Sequence, residues 1–177
     1  MPTVGELDAV SETQATEMLR SCCGSSRWVA AMVSRRPFGT RDALLATADA
    51  LWRGLSPADW QEAFRHHPRI GDQRRAPAQT EQGAIWSNRE QAGVRHADAT
   101  VRQMLAAVNQ EYEERFGWIY IVNASGKTAD QLLTLARQRM ENGPDTELRV
   151  AAGEHEQIML NRLDKLVSDT DPGGSVS

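Results

Sequence analysis

Apolar residues recur at spacings of three and four along most of this 177-residue chain, which is the period of an α-helix. The pattern restarts repeatedly, in most cases at a Ser or Thr that can cap a helix, and it stops near glycine or proline. The predicted helices begin at Ser11, Ser25, Thr40, Ser56, Ser87 or Asn88, Ala97, Thr128, and Asp145 or Thr146. We therefore expect one all-α domain over residues 1–177, a bundle of about seven to eight helices with an ordered core at about 11–168 and a flexible tail at about 169–177.

One run breaks the helical pattern. Trp118–Val122 is β-branched and aromatic, as strands are, but it has no partner run with which to build a sheet. We expect it to form a short, buried, extended link, and we expect residues 71–82 to form an irregular crossing. Extended backbone outside a sheet leaves N–H and C=O groups without ladder partners. A ligand with amide-like edges could pair with these groups, or side chains and water could do so.

Composition disfavours several classes of protein. The formal net charge of −4 argues against nucleic acid as a partner. No apolar run approaches the roughly 20 residues that cross a bilayer, and residues 1–10 lack the basic-then-apolar pattern of a signal peptide. The two cysteines, Cys22 and Cys23, are adjacent, which would strain a disulfide between them. We expect them to be reduced, in a cytoplasmic protein.

The segment from His67 to Asp72 contains a His-Pro pair followed by Ile70 and Gly71. Proline pushes the residue before it out of the helical region, and glycine permits a further sharp turn, so His67 sits at a chain corner. An imidazole held in this way suits proton transfer near neutral pH, although His-Pro is also a common helix end.

Charge is concentrated in two stretches of the chain. Residues 65–75 hold four arginines and one acid, whereas residues 141–171 hold eight acids and three bases. The basic stretch could attract a small anion, or it could pair with the acidic C-terminal helix.

Ser87, Glu90 and Gln91 are three and four residues apart, so they lie together at one predicted helix start. Ser-x-x-Glu is also the pattern of a capping box, a purely structural device, and a cap can expose backbone N–H groups to an anionic ligand.

Three classes of function compete at this point. The four histidines, His66, His67, His96 and His155, have none of the spacings of a helical metal site, which disfavours a metal hydrolase. A non-catalytic, all-helical binding or adaptor module would explain the fold. A cofactor-free lyase or isomerase that uses His67 and Glu90 would explain the His-Pro corner and the Glu-Gln pair as well.

Five groups of residues narrow the choice. They are Arg36-Pro37-Phe38, His67-Pro68-x-Ile70-Gly71, Ser87-x-x-Glu90-Gln91-x-Gly93, Asn109-x-x-Tyr112-x-x-Arg115-Phe116-Gly117 and Ile158-x-x-x-Arg162-Leu163. In this order they resemble the family of 2-oxo-4-hydroxy-4-carboxy-5-ureidoimidazoline (OHCU) decarboxylases, which complete the breakdown of urate to (S)-allantoin. The resemblance covers about residues 11–166.

The resemblance implies an all-α enzyme without metal or organic cofactor that acts on a small molecule, OHCU, and is a cytoplasmic homodimer. It implies that His67, Glu90 and Arg162 are the catalytic residues. It also implies a set of substrate-binding residues, namely Pro68, Ser87, Asn88, Arg89, Glu90, Gln91, Tyr120, Ile121, Val122, Asn123 and Ala124.

Overall fold

The computed structural model describes residues 1–72, 74 and 76–167, and within them it contains nine α-helices and no strand. This confirms the predicted all-α fold, although there are more helices than the seven or eight expected. The predicted flexible tail lies outside the described residues. The helices are α1 (Val4–Ala9), α2 (Glu12–Arg20), α3 (Ser26–Ser34), α4 (Arg41–Arg53), α5 (Pro57–Phe64), α6 (Glu81–Glu90), α7 (Ala99–Phe116), α8 (Ala129–Arg139) and α9 (Pro144–Leu166), with a 3₁₀ turn at Ala92–Val94.

Helix α1 was not predicted because six residues are too few to show a helical period. It is held by a capping box in which the Thr3 side chain accepts from the Glu6 N–H and the Glu6 side chain accepts from the Thr3 N–H. It contributes Val4 and Leu7 to the core. The first ten residues therefore belong to the folded domain.

Helix α6 corrects the prediction that a helix starts at Ser87 or Asn88. The helix begins six residues earlier, because Thr80 Oγ1 accepts from the Gly83 N–H at 3.0 Å. Ser87 and Glu90 therefore lie in the last turn of α6, and the capping-box interpretation of these two residues is wrong. The site that they form is at the carbonyl end of the helix, so the expected N-terminal anion site is wrong as well.

The apolar residues form two clusters. The first core is built mainly from α1–α5 and α9, and its largest members, Trp28 and Trp52, donate their indole N–H groups to the carbonyls of Ala48 and Ala152. The second core is built from α7, α8 and the segment between them. In the part of the chain that is described, no helix is long and apolar enough to cross a membrane.

The α7–α8 connection, residues 117–128, lies between the two cores. Tyr120, Val122 and Ala124 belong to the second core, whereas Ile121 belongs to the first. Side chains that alternate in this way indicate an extended backbone. The connection is thus the predicted buried link, and it places its backbone where the two cores meet.

Candidate active site

The His-Pro corner follows the end of α5 and is tied to two other helices. The His67 N–H donates to the Phe64 carbonyl at 3.1 Å. Gly71 has a φ of +85°, as its predicted turn requires, and its N–H donates to Gln91 Oε1 at 2.9 Å. Asn109 of α7 donates from Nδ2 to the Ile70 carbonyl at 2.7 Å. These bonds fix the backbone on which the His67 side chain is carried.

The His67 ring is buried and is positioned by ring packing. Its side chain makes no hydrogen bond to any residue that the structure describes. It meets His155 of α9 edge to face, with 4.9 Å between ring centroids, and His155 stacks on Trp52 at 4.3 Å. Burial, the Arg162 cation and the neighbouring histidines 155 and 66 hold the pKa of His67 well below its usual value. The imidazole is therefore neutral at pH 7.

Arg162 of α9 and Glu90 of α6 form a buried, two-pronged ion pair. Arg162 Nε donates to Glu90 Oε1, and Arg162 Nη2 donates to Glu90 Oε2, both at 2.9 Å. The same Nη2 donates to Ser87 Oγ at 2.9 Å, and Gln79 Nε2 donates to that hydroxyl oxygen at 2.7 Å. The Arg162 side chain is 3% exposed and the Glu90 side chain 10%. Glu90 is thus oriented by Arg162 rather than by a bond to His67.

A small pocket with a cavity volume of about 20 Å³ lies at this junction, which is room for about one water molecule. Both cores contribute to its apolar wall, since Ile121 and Ile158 belong to the first core and Ile70 to the second. The predicted site residues that line it are His67, Pro68, Ser87, Glu90, Gln91, Tyr120, Ile121, Val122 and Ala124.

Four predicted site residues do not line the pocket. Arg162 reaches it through its partners Glu90 and Ser87. Asn88 and Arg89 are exposed on the outer side of α6. Asn123 points elsewhere, because its N–H donates to Glu154 and its side chain donates to Gln157.

The α7–α8 connection offers free backbone groups to the pocket. The carbonyl of Ile121 accepts from Arg139, and the carbonyl of Asn123 accepts from Lys127. In contrast, neither the N–H nor the C=O of the buried Val122 has a hydrogen-bond partner among the described residues. A buried N–H or C=O without a partner is costly, and Val122 is one of the residues that line the pocket. Side chains therefore pair with some of the backbone groups of the connection, and the backbone groups of Val122 remain available to a ligand.

The basic stretch around the corner does not pair with the C-terminal helix where the structure describes it. Arg69 pairs with Glu113 of α7, and Arg74 pairs with Asp72 at 2.9 Å. The predicted pairing with the acidic α9 is therefore wrong for these two residues, and Arg75 lies outside the described residues.

A comparison with protein families identifies the family of this chain. The family model described as OHCU decarboxylase matches residues 8–164, which is most of the chain. The chain belongs to this family. Within residues 1–72, 74 and 76–167, no group of three or more His, Cys, Asp or Glu side chains is placed to hold a metal ion.

Individual members of the OHCU decarboxylase family give the same result. The uric acid degradation bifunctional protein TTL of Arabidopsis thaliana is 32% identical over 148 residues, which cover 84% of this chain but only 46% of that protein. The OHCU decarboxylase of Mus musculus is 33% identical over 147 residues, 78% of this chain and 77% of that protein. A crystal structure of OHCU decarboxylase in the presence of (S)-allantoin matches with a TM-score of 0.72 and 34% identity, covering 85% of this chain and 96% of that one.

Sequence reasoning missed several residues of this OHCU decarboxylase-like site. Ile70 and Ile158 both lie within the five matched groups of residues but were not assigned to the site. His155 lies seven residues before Arg162, on the same face of α9, and this spacing could have revealed it. Gln79 carried no signal, because it reaches Ser87 from the irregular segment before α6.

Proposed function

We propose that this chain catalyses the cofactor-independent decarboxylation of OHCU to (S)-allantoin. The observation that carries the proposal is the pocket in which His67, Glu90 and the free backbone of Val122 meet. The chain matches the OHCU decarboxylase family over most of its length, which supports the same assignment. OHCU is a small heterocycle with amide-like edges and one carboxylate, and its polar groups complement a neutral imidazole and unpaired backbone N–H and C=O groups.

The substrate explains why an enzyme of this kind needs no electron-accepting cofactor. The carboxylate of OHCU is attached to a ring carbon beside a C=N bond. As the carbon–carbon bond to the carboxylate breaks and CO₂ leaves, the bonding electron pair moves into that C=N bond, whose nitrogen takes a proton. The product is an enol, which must lose its hydroxyl proton and gain a proton on the neighbouring ring carbon. The protein has only to orient the substrate, to exclude water from it and to move this proton.

His67 is the proposed proton carrier. Because its ring is neutral, it can accept the hydroxyl proton of the enol and deliver a proton to one face of the ring carbon. It starts and ends the cycle uncharged. Delivery of the proton from one side only gives a single enantiomer.

Glu90 and Arg162 are proposed to orient the substrate as a pair. Glu90 lines the pocket and can accept ring or ureido N–H groups, and its position is fixed by the two-pronged bond from Arg162. Arg162 does not line the pocket, so it acts on the substrate through the two lining side chains that it holds, Glu90 and Ser87. The Val122 peptide group pairs with the amide-like edge.

The proposal is tested by the handedness of the product. OHCU is generated from urate with urate oxidase and hydroxyisourate hydrolase, this protein is added, and the circular dichroism of allantoin is followed. Faster appearance of one enantiomer supports the proposal. Since free OHCU decays to racemic allantoin, racemic product at the uncatalysed rate contradicts it and favours the adaptor module.

Variants identify the residues that act. His67→Ala and Glu90→Ala are each expected to lower turnover by ~10² or more. His96→Ala is the matched control, because His96 is exposed and lies outside the pocket. A folded His67→Ala protein with the turnover of the control would refute the role of His67.

We also propose that the protein is a cytoplasmic homodimer, as the family resemblance implies. The two cysteines are free and buried, which suits a reducing compartment. Light scattering on a size-exclusion column checks the assembly, since a dimer has about twice the chain mass of 19.6 kDa. A mass equal to that of one chain would contradict the dimer.

A further inference from the structure

A second buried ion pair lies behind the pocket, and the proposed chemistry does not use it. It joins Arg139, the last residue of α8, to Glu147 in the first turns of α9. The Arg139 side chain is 8% exposed and the Glu147 side chain is fully buried. Removing two charges from water is costly, so a buried pair of this kind calls for an explanation beyond stability.

The guanidinium of Arg139 uses its two edges for different purposes. Along one edge, Nε donates to Glu147 Oε1 at 2.7 Å, and Nη2 lies 2.6 Å from the same oxygen. From the other edge, Nη1 donates to the carbonyl of Ile121 at 2.6 Å. Because guanidinium is planar and rigid, fixing one edge against Glu147 fixes the direction of the bond to Ile121.

Glu147 is itself held from two further sides. Its Oε1 accepts from the Tyr112 hydroxyl at 2.5 Å, and its Oε2 accepts from Asn142 Nδ2 at 2.8 Å. The Tyr112 oxygen in turn accepts from the Trp118 indole N–H at 3.2 Å. The Glu147 carboxylate therefore accepts hydrogen bonds from α7, from α8 and from the loop between α8 and α9, and these bonds fix its orientation.

The α7–α8 connection is attached to this network at three points within four residues. Trp118 is bonded through Tyr112, Ile121 is bonded by Arg139, and the Tyr120 ring lies 4.9 Å under the Arg139 guanidinium. The Tyr120 hydroxyl also donates to the carbonyl of Leu132 in α8. These are the residues that bring the unpaired Val122 peptide group to the pocket wall.

We propose that Arg139, oriented by Glu147, is a positioning residue that sets the location of the substrate-binding backbone at Ile121 and Val122. This inference rests on the proposed function. The Ile121 carbonyl and the Val122 N–H belong to one planar peptide group, so the bond from Arg139 that holds the carbonyl also fixes the direction of that N–H. Without that bond, the connection can move, the substrate binds less well, and its two faces are no longer distinguished by His67.

The test separates this role from a general contribution to folding. Arg139→Met alone would leave Glu147 buried and unpaired, so the variant of choice is Arg139→Met with Glu147→Leu, which removes both charges. Arg139→Lys keeps a cation beside Glu147 but lacks the planar guanidinium, so it tests the loss of the bond to Ile121 without removing the charge. Asn142→Ala is the matched control, because it removes a donor to Glu147 and leaves all three attachments of the α7–α8 connection in place.

For folded double-variant protein we expect a KM about tenfold or more above that of the wild type, as loss of a charged hydrogen bond implies. We also expect allantoin of reduced enantiomeric excess and a smaller change in kcat. Asn142→Ala should unfold at a lower denaturant concentration but keep the wild-type KM and enantiomeric excess. An active wild type together with a double variant of unchanged KM and enantiomeric excess overturns the positioning role alone. A wild type that forms (S)-allantoin no faster than the uncatalysed reaction overturns the proposed function and this inference with it.

Discussion

Acidification should destabilise this protein in part through His155, and the contribution of that residue can be isolated with one substitution. His155 is fully buried, and both of its ring nitrogens lack hydrogen-bond partners among the described residues. Burial, with a smaller contribution from the Arg162 cation, lowers the pKa of His155 from 6.5 to about 3. In the unfolded chain the same imidazole titrates near ~6.5.

The sign and size follow from proton binding. Below about pH 6.5 the unfolded state binds a proton that the folded state does not, so the free energy of unfolding falls as the pH falls. Between pH 7 and pH 5 this one group should remove about 2 kcal/mol, from ~1.4 kcal/mol per pH unit below the unfolded pKa. His67 acts in the same direction, since its pKa is also lowered in the folded protein.

His155→Phe removes the titrating group but keeps an aromatic ring against Trp52 and His67. Urea unfolding, followed by tryptophan fluorescence at both pH values, should show that the variant loses about 2 kcal/mol less than the wild type on acidification. At pH 7 the variant should be at least as stable, because no hydrogen bond is lost with the imidazole. Equal losses in the two proteins would refute the conclusion that His155 is neutral when folded and charged when unfolded.

Three further predictions concern packing and charge. Arg162→Met should lower the free energy of unfolding by about 3–5 kcal/mol, because it leaves the Glu90 carboxylate buried and unpaired, and Arg162→Met with Glu90→Met should recover most of that loss in the same urea titration. The two adjacent cysteines should not react with a thiol reagent such as DTNB in the native protein, because both are buried and burial raises the pKa of both thiols. Both should react in denaturant. Rapid labelling of the native protein would contradict this prediction. Gly93→Ala should lower the free energy of unfolding by about 1–3 kcal/mol, because the new Cβ would lie 2.2 Å from the Lys127 carbonyl oxygen. Gly153→Ala should raise the free energy of unfolding by about 0.5–1 kcal/mol, because its Cβ would meet nothing within 4 Å inside α9. Thermal unfolding of both variants tests these opposite effects.

Local signals in the sequence were sufficient for most helix boundaries. The predicted starts at Ser11, Ser25, Thr40, Ser56 and Thr128 are all confirmed, because each of these side chains accepts a backbone N–H in the first turn of its helix. The predicted starts at Ala97 and at Asp145 or Thr146 are displaced by one or two residues, because Asp98 caps α7 and α9 begins at Pro144. The period failed where it was short or interrupted. Helix α1 spans too few residues, and the start of α6 is polar, with a glycine in its first turn.

Contacts between distant parts of the chain were not predictable in this way. The ion pair between Glu90 and Arg162 joins residues 72 positions apart. Arg69 forms its ion pair with Glu113 of α7 and not with an acid of the C-terminal helix. No spacing rule identifies such partners, because they depend on how whole helices pack. The resemblance placed residues in one site, whereas the structure supplied the bonds that orient them, including those of Arg139.

Helix α9 sets the spacing of the residues that support the site. Over the 15 residues from Glu147 to Arg162, about 22 Å of helix, one face of α9 orients Arg139, accepts the Asn123 N–H, supports the His67 ring and fixes Glu90. Inserting a single residue within that stretch would rotate everything beyond it by about 100°. Natural variation in chain length should therefore be absent between these two positions, while the loops on either side of α9 remain free to change.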